Sequence, residues 1–210
     1  MQSKYSNQDY LLNQQYRDSS NLDARAALHQ RFSTNPYGWN RWLFDQYDLP
    51  ANARVLELGC GPAKLWLANR DRIPAEWVIT LSDFSPGMIE TAQRLLANMP
   101  HAFTFETIDA QQIPFEAATF DAVIANHMLY HVPDIPKALA EIRRVLKPDG
   151  RLYAATNGTA HMHELDDLIA HFAPADDTPA LRRGIFPFRL ENGGELLAQH
   201  GQRHRALARL

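Results

Sequence analysis

The chain has 210 residues, of which 45% are hydrophobic, and a formal net charge of −3 at pH 7. This length and composition predict one domain-sized unit with a full apolar core. The weak negative charge lacks the basic field that attracts nucleic acid or anionic lipid, so neither partner is expected.

The single cysteine and the polar amino terminus bear on the cellular location of the protein. Cys60 is the only cysteine, so no disulfide can form within the chain, and a reducing cytoplasm is the expected location. Residues 1–10 contain no apolar segment typical of a signal peptide. No run reaches the ~20 apolar residues of a membrane span, so no membrane association is expected.

Residues 1–52 predict a helical arm in front of the main domain. Two helices are indicated by apolar spacing, and Asn35-Pro36 is typical of the start of the second. Their apolar positions are Leu22, Ala26, Leu28 and Phe32 in the first helix, and Trp39, Trp42, Leu43 and Tyr47 in the second. Tyr37, Gly38 and Trp39 are candidates for a lid over a ligand pocket, although packing on the edge of the core would also explain the tryptophans.

Strands and helices alternate over residues 53–157. The predicted strands are Val55–Leu58, Trp77–Asp83, Phe103–Ile108, Phe120–Asn126 and Arg151–Thr156. The predicted helices are Leu65–Arg70, Pro86–Asn98 and Ile135–Leu146, and a turn is expected at Lys147–Gly150. This alternation predicts an α/β fold with a doubly wound, mainly parallel sheet and helices on both faces.

The glycine and the polar residues that could bind a ligand follow the predicted strands. Gly59, Asp83, Asp109, Asn126 and Thr156 each stand at or just after a strand end. In parallel sheets the carboxyl ends meet at one edge, and ligands bind there near the point where strand order reverses. A ligand site at this edge is therefore predicted.

The first strand runs into a glycine turn and then a helix, an arrangement that presents backbone N–H groups to the polar end of a ligand. The dinucleotide pattern G-x-G-x-x-G would require its third glycine at Lys64. An acidic residue followed by G-x-G-x-G fits better, with Glu57, Gly59 and Gly61 matching and Ala63 replacing the last glycine.

Five ordered segments over about residues 53–157 resemble the class I S-adenosylmethionine (SAM) methyltransferases, in particular the type 11 family. They are Val55–Gly61, Leu81–Met88, Ile108–Ala110, Phe120–Asn126 and Val145–Gly150. The resemblance implies a Rossmann-like fold, SAM as the cofactor and a small-molecule methyl acceptor.

The resemblance also implies roles for residues at the sheet edge. Asp83 is similar to the acid that accepts hydrogen bonds from both ribose hydroxyls, which suits a carboxylate; capping of the next helix is the alternative. Asp109 resembles the acid that accepts from the adenine amino group, with the Ala110 backbone beside it, although an ordinary loop aspartate is equally expected. Phe84, Met88 and Ile113 are apolar candidates to enclose the adenine, and Met88 fits the core equally well.

The glycine turn is implied to meet the methionine end of the cofactor. Gly59, Gly61 and Asn126 are expected there through their backbones, and Cys60 lies within the same turn. Glu57 is similar to the family's first acid, which organises the turn.

Methyl transfer from a sulfonium needs alignment and desolvation more than acid–base chemistry. A base is required only when the nucleophile must lose a proton. His127 and His131, which follow the fourth strand, are the candidates, with positioning of the loop as the alternative for each.

A metal site is not expected. His161, His163 and Glu164 resemble a ligand cluster, but residues two apart on a helix face different directions. His200 and His204 are correctly spaced on a helix and lack a third ligand.

Residues 158–210 depart from the family pattern. Helices are expected at His161–Phe172 and from Asn192 to about Gly201, with a loop between them. The following residues are basic and have no strand pattern, so the sheet is expected to lack the usual last two strands. The fifth strand would then be an exposed edge, which a second subunit could cover. Truncation of the natural protein would also explain the missing strands.

The sequence therefore favours SAM-dependent methyl transfer to a small molecule by in-line displacement. A non-catalytic SAM-binding or dimerising module is the alternative that the missing strands suggest. An NAD(P)-dependent oxidoreductase is a third hypothesis, which Lys64 at the third glycine position disfavours.

Overall fold

Five parallel strands form one sheet in the computed structural model, which describes residues 7–17, 22, 27, 31–172, 187–199 and 201. The strands are β1 (Arg54–Leu58), β2 (Val78–Asp83), β3 (Phe103–Thr107), β4 (Phe120–Asn126) and β5 (Leu146–Ala155). Their order is β3-β2-β1-β4-β5, and every pairing is parallel. The predicted doubly wound α/β fold is confirmed.

The helices that the structure describes lie mostly where apolar spacing predicts them. They are α1 (Gln8–Tyr10), which continues as a π-helical turn (Leu11–Gln15), α2 (Trp39–Asp45), α3 (Lys64–Ala68), α4 (Pro86–Leu96), α5 (Ile135–Val145), α6 (His163–Phe172) and α7 (Leu190–Gln199). A short 3-10 helix covers Leu129–His131. Most of the helix predicted around Leu22–Phe32, and the tail after Gly201, lie outside the described residues. The division at residues 52 and 157 stays a prediction.

Apolar side chains of the central strands alternate between the two faces of the sheet. Leu56 and Leu58 of β1 pack with α5 and with Phe188 on one face. Val55 packs on the other face with residues of α2, α3 and α4. Both faces are therefore covered, as a parallel sheet requires.

The start of α4 follows the sequence prediction. The Ser85 hydroxyl accepts a hydrogen bond from the Met88 amide, and Pro86 occupies the first helical position. Because this cap satisfies a backbone N–H that no helical carbonyl can reach, α4 begins directly after β2.

The turn predicted at Lys147–Gly150 is wrong in one respect, because these residues lie within β5. Phe120 pairs with Leu146, but Ala122 pairs with Arg151, so β5 carries extra residues at an irregularity in the pairing. Pro148 is tolerated there because β5 lies at an edge of the sheet, where a missing N–H need not break a ladder.

After β5 the described residues form the helices α6 and α7 and no further strand. Within the described part of the chain, β5 is therefore an end of the sheet, as expected from the missing strand pattern. No helix among these residues has the length and apolar character needed to cross a bilayer.

Candidate functional site

The predicted site residues follow β1, β2, β3 and β4, and the parallel pairing brings these strand ends to one side of the sheet. We call this side the carboxyl edge and define it by the residues that end or follow those strands: Gly59–Ala63, Asp83–Met88, Asp109–Ile113 and Asn126–His131. Strand order reverses beside β1, where such sheets bind ligands.

The turn after β1 depends on left-handed backbone conformations. Gly59 and Gly61 have φ values of +69° and +53°, and Ala63 has +56°. The Cys60 amide donates to the Ser82 carbonyl at 2.9 Å, and the Ala63 amide donates to the Cys60 carbonyl at 3.0 Å. Ala63 therefore supplies the conformation of the missing third glycine, at a strain cost that glycine would not carry.

Gly59 and Gly61 face different surroundings. A Cβ on Gly59 would lie 2.7 Å from the Cβ of Met128, so this glycine is required by packing within the protein. A Cβ on Gly61 would have only the Leu22 Cδ1 within 4 Å, at 3.7 Å, besides its chain neighbours. Gly61 is the position at which a ligand could approach the backbone closely.

Cys60 contributes its side chain to the core. It packs with the apolar cluster that contains Trp66, and burial raises the pKa of its thiol. The Cys60 amide and carbonyl make hydrogen bonds within the protein, to Ser82 and from Ala63. The predicted contact of Cys60 with a cofactor stays a prediction.

Asp83 connects the end of β2 to the glycine turn. Its Oδ2 accepts from the Gly61 amide at 2.9 Å, and its Oδ1 accepts from the Ser85 amide at 2.8 Å. Burial raises the pKa of Asp83, and the hydrogen bonds from backbone amides oppose that rise. Each oxygen keeps a lone pair, so the carboxylate can still accept two more hydrogen bonds.

Glu57 is sealed inside the protein. It is 3% exposed, and its Oε2 accepts from the Trp66 indole Nε1 at 2.5 Å. Burial raises the pKa of Glu57 to about 7, the Trp66 hydrogen bond opposes the rise, and the Asp83 charge adds to it. Glu57 therefore fixes α3 against β1.

Asp109 is held by glutamine side chains at the end of β3. Its Oδ1 accepts hydrogen bonds from the Gln111 backbone amide at 2.9 Å and from Gln111 Nε2 at 3.0 Å. Its Oδ2 accepts from Gln111 Nε2 at 3.1 Å and from Gln8 Nε2 at 3.4 Å. Ala110 and Ile113 beside it are buried. Of the other two apolar candidates, Phe84 is half-buried whereas Met88 is 1% exposed.

The residues after β4 bring aromatic rings to the edge. Asn126 donates through Nδ2 to the Tyr47 hydroxyl at 3.1 Å. His127 has a φ of +54°, which is strained for a residue with a Cβ. Its ring lies 5.6 Å from Trp39, which stacks on Trp42 and is 40% exposed.

His131 contacts the N-terminal segment. Its Nε2 lies 2.8 Å from the Tyr16 hydroxyl, and the two rings meet edge to face with centroids 5.2 Å apart. The two predicted bases therefore occupy different surroundings, since His127 faces Trp39 and His131 faces Tyr16.

Sequence reasoning missed the contacts that the N-terminal segment makes with the carboxyl edge. Gln8, Tyr16, Arg17 and Leu22 approach Asp109, His131, Gly87 and Gly61, respectively. The polar composition of residues 7–17 gives no periodic signal that would have indicated them. Only the glycine at position 87, in the first turn of a helix, hints at a close neighbour.

The described residues contain no group of three or more side chains suited to a metal ion. His163 Nδ1 lies 3.1 Å from Glu164 Oε2, and both residues are exposed. His200 and His204 lie outside the described residues.

Substitution of each glycine by alanine should show which of the two is required for packing within the protein. We expect Gly59→Ala to lower the free energy of unfolding by about 2–4 kcal/mol, because left-handed strain adds to the clash with Met128. Gly61→Ala should cost only about 1–2 kcal/mol, since it carries the strain alone. Urea unfolding of both variants measures this; equal losses would contradict the assignment of Gly59 to packing.

Glu57 predicts a pH dependence of stability. Because its pKa is about 7 in the fold against 4.5 ordinarily, the folded state binds more protons than the unfolded chain between these pH values. The free energy of unfolding should therefore fall as pH rises through that window. Glu57→Gln should remove on the order of 2–3 kcal/mol of this fall. Urea unfolding at pH 5 and pH 8 tests it, and parallel pH curves for the two proteins would refute it.

Comparison with known proteins identifies the domain. Residues 56–154 match a family model described as "Methyltransferase domain". The chain is 32% identical over 128 residues to the demethylmenaquinone methyltransferase of Symbiobacterium thermophilum, covering 60% of this chain and 51% of that protein. It is 31% identical over 136 residues to the ubiquinone/menaquinone biosynthesis C-methyltransferase UbiE of Citrifermentans bemidjiense, covering 64% and 57%.

The fold also matches solved structures. One chain in the complex of the Haloferax volcanii Trm112 methyltransferase activator with a putative methyltransferase superposes with a TM-score of 0.62 at 21% identity, covering 86% of this chain and 73% of that one. The chain spans little more than half the length of the two curated relatives named above. The matched sequence, the strand order and the acid-and-glycine turn agree, and residues 56–154 belong to the class I SAM-dependent methyltransferase family.

Proposed function

We propose that the carboxyl edge binds SAM and that the chain transfers its methyl group to a small-molecule acceptor. The observation that carries the proposal is the Gly61–Asp83 hydrogen bond, which joins the glycine turn to the acid after β2 within the matched family domain. An NAD(P) oxidoreductase is set aside, because Lys64 replaces the third glycine of that fingerprint.

The residues present fit the cofactor. The Asp83 carboxylate retains acceptor capacity for two adjacent hydroxyls. Gly61 leaves room where a Cβ would stand. Asp109 follows β3, and its role is proposed as accepting from an amino group of the cofactor in place of a glutamine side chain, while half-buried Phe84 offers an apolar face.

SAM supplies a methyl group on a positively charged sulfur, which an in-line nucleophile can displace. The protein's contribution is to hold acceptor and cofactor in line and to exclude water, and such positioning can supply ~7–11 kcal/mol. If the nucleophile carries a proton, His127 or His131 would receive it on a ring nitrogen.

The acceptor is proposed to bind beside His127. Trp39 presents a partly exposed ring there, backed by Trp42, and this surface suits a flat apolar molecule. The names of the two curated relatives refer to quinones, which are molecules of this kind. Tyr37 and Gly38, the other predicted lid residues, precede α2, and the Tyr37 hydroxyl donates to Asp45 at 2.6 Å.

Binding of S-adenosylhomocysteine tests the cofactor site. Asp83→Ala should weaken its affinity more than tenfold, because the acceptor for two hydroxyls is lost. Asp121→Ala is the matched control, since Asp121 lies near the start of β4, at the opposite end of the sheet, and pairs with Lys147. Calorimetry that gives wild-type affinity for Asp83→Ala would remove Asp83 from the site. Binding of S-adenosylhomocysteine without turnover of labelled SAM over an acceptor panel would favour the non-catalytic module.

The edge strand β5 supports a further part of the proposal, a homodimer. Among the described strands β5 pairs with β4 alone, and Ala154 near its end is exposed. We expect sedimentation velocity to show a dimer that Ala154→Lys weakens, because a charge on an edge opposes strand pairing. A wild-type monomer at all concentrations would exclude it.

Cytoplasmic location is proposed from the buried free thiol of Cys60, which suits a reducing compartment.

A further inference from the structure

The N-terminal segment crosses the carboxyl edge. We call residues 7–17 the strap. Gln8 reaches Asp109 after β3, Tyr16 reaches His131 after β4, and the Arg17 carbonyl lies over Gly87 after β2. The segment therefore lies where it would cover a cofactor bound between these strand ends.

Tyr16 holds the strap from two sides. Its hydroxyl lies 2.8 Å from His131 Nε2, and its carbonyl accepts from the Ser85 hydroxyl at 2.8 Å. Ser85 belongs to the turn that contains Asp83, whereas His131 follows β4. One residue thus links the side assigned to the ribose with the segment after β4 that carries both candidate bases.

Gly87 provides an independent sign that the strap is closed in the native state. Gly87 lies in the first turn of α4, where alanine would favour the helix more than glycine. A Cβ there would lie 2.1 Å from the Arg17 carbonyl oxygen. That contact is incompatible with the observed strap, so an alanine at this position would force the strap away.

We propose that Tyr16 is a positioning residue of the reaction, which fastens the strap over the cofactor and fixes the ring of His131 at the carboxyl edge. The inference rests on the proposed function. It implies that the cofactor enters before the strap closes and that the strap must lift before S-adenosylhomocysteine leaves. Tyr16 acts through His131 and through the strap.

The rate of S-adenosylhomocysteine dissociation tests the proposal in stopped-flow displacement by excess SAM. Tyr16→Phe keeps the ring and removes the hydroxyl, so dissociation should accelerate about three- to tenfold, the range of one hydrogen bond. Tyr153→Phe is the matched control: it removes a hydroxyl that contacts the Asp48 backbone, away from the edge, and should keep the wild-type rate. His131→Ala should accelerate release by a similar factor, and the double variant should be no faster than the faster single variant.

Gly87→Ala tests the strap without removing any of its hydrogen-bonding groups. It should release S-adenosylhomocysteine at least as fast as Tyr16→Phe and, with no ligand added, speed trypsin cleavage after Arg17. The thermal midpoint should not fall as it would for a broken α4, because alanine suits that helix.

Wild-type release rates in both Tyr16→Phe and Gly87→Ala would overturn the proposal, and so would additive effects of Tyr16→Phe and His131→Ala. Absence of S-adenosylhomocysteine binding to the wild-type protein would instead refute the proposed function. In that case trypsin cleavage after Arg17 still decides the strap: equal cleavage of wild type and Gly87→Ala would overturn it.

Discussion

The hydrogen bond from the Gly61 amide to the Asp83 carboxylate is the contact on which the carboxyl edge depends. Taking a carboxylate even partly out of water is costly unless hydrogen-bond donors satisfy it. The backbone amides of Gly61 and Ser85 are such donors. These hydrogen bonds tie the glycine turn to the end of β2, and they oppose the rise that burial causes in the pKa of Asp83. The atoms that stabilise this edge are thus the same ones that are proposed to bind the ligand.

Two acids stand one strand apart and differ in role because their surroundings differ. Glu57 is closed off by the Trp66 indole, and its pKa of about 7 shows how strongly burial disfavours its charge. Asp83 is half-buried and receives its hydrogen bonds from backbone amides, which leaves oxygen lone pairs for a ligand. The environment, and not the residue type, separates a carboxylate that braces a helix from one that can bind hydroxyls.

The sequence predicts the sheet well because apolar patterning and helix capping depend on residues that are close together in the chain. β4 has the predicted bounds, Phe120–Asn126, around its apolar centre, and Ser85-Pro86 marks the start of α4 through capping chemistry alone. The extra residues in β5 escape prediction, because Pro148 and Gly150 are typical of a turn and only the edge position makes them acceptable in a strand. The strap escapes it for another reason: its contacts join residues about 70 to 115 positions apart, and nothing in its own composition encodes them.

Gly59 and Gly61 show that a sequence motif does not reveal why each of its glycines is required. Both match the family pattern equally, and both have positive φ values. The absent side chain at Gly59 makes room for Met128, a residue of the same protein, whereas the absent side chain at Gly61 opens onto the space beneath Leu22. A pattern of glycines cannot tell these causes apart, since the same residue type meets both. Only the identity of the neighbouring atom distinguishes a glycine kept for packing from one kept for a ligand, and that neighbour is set by the fold as a whole.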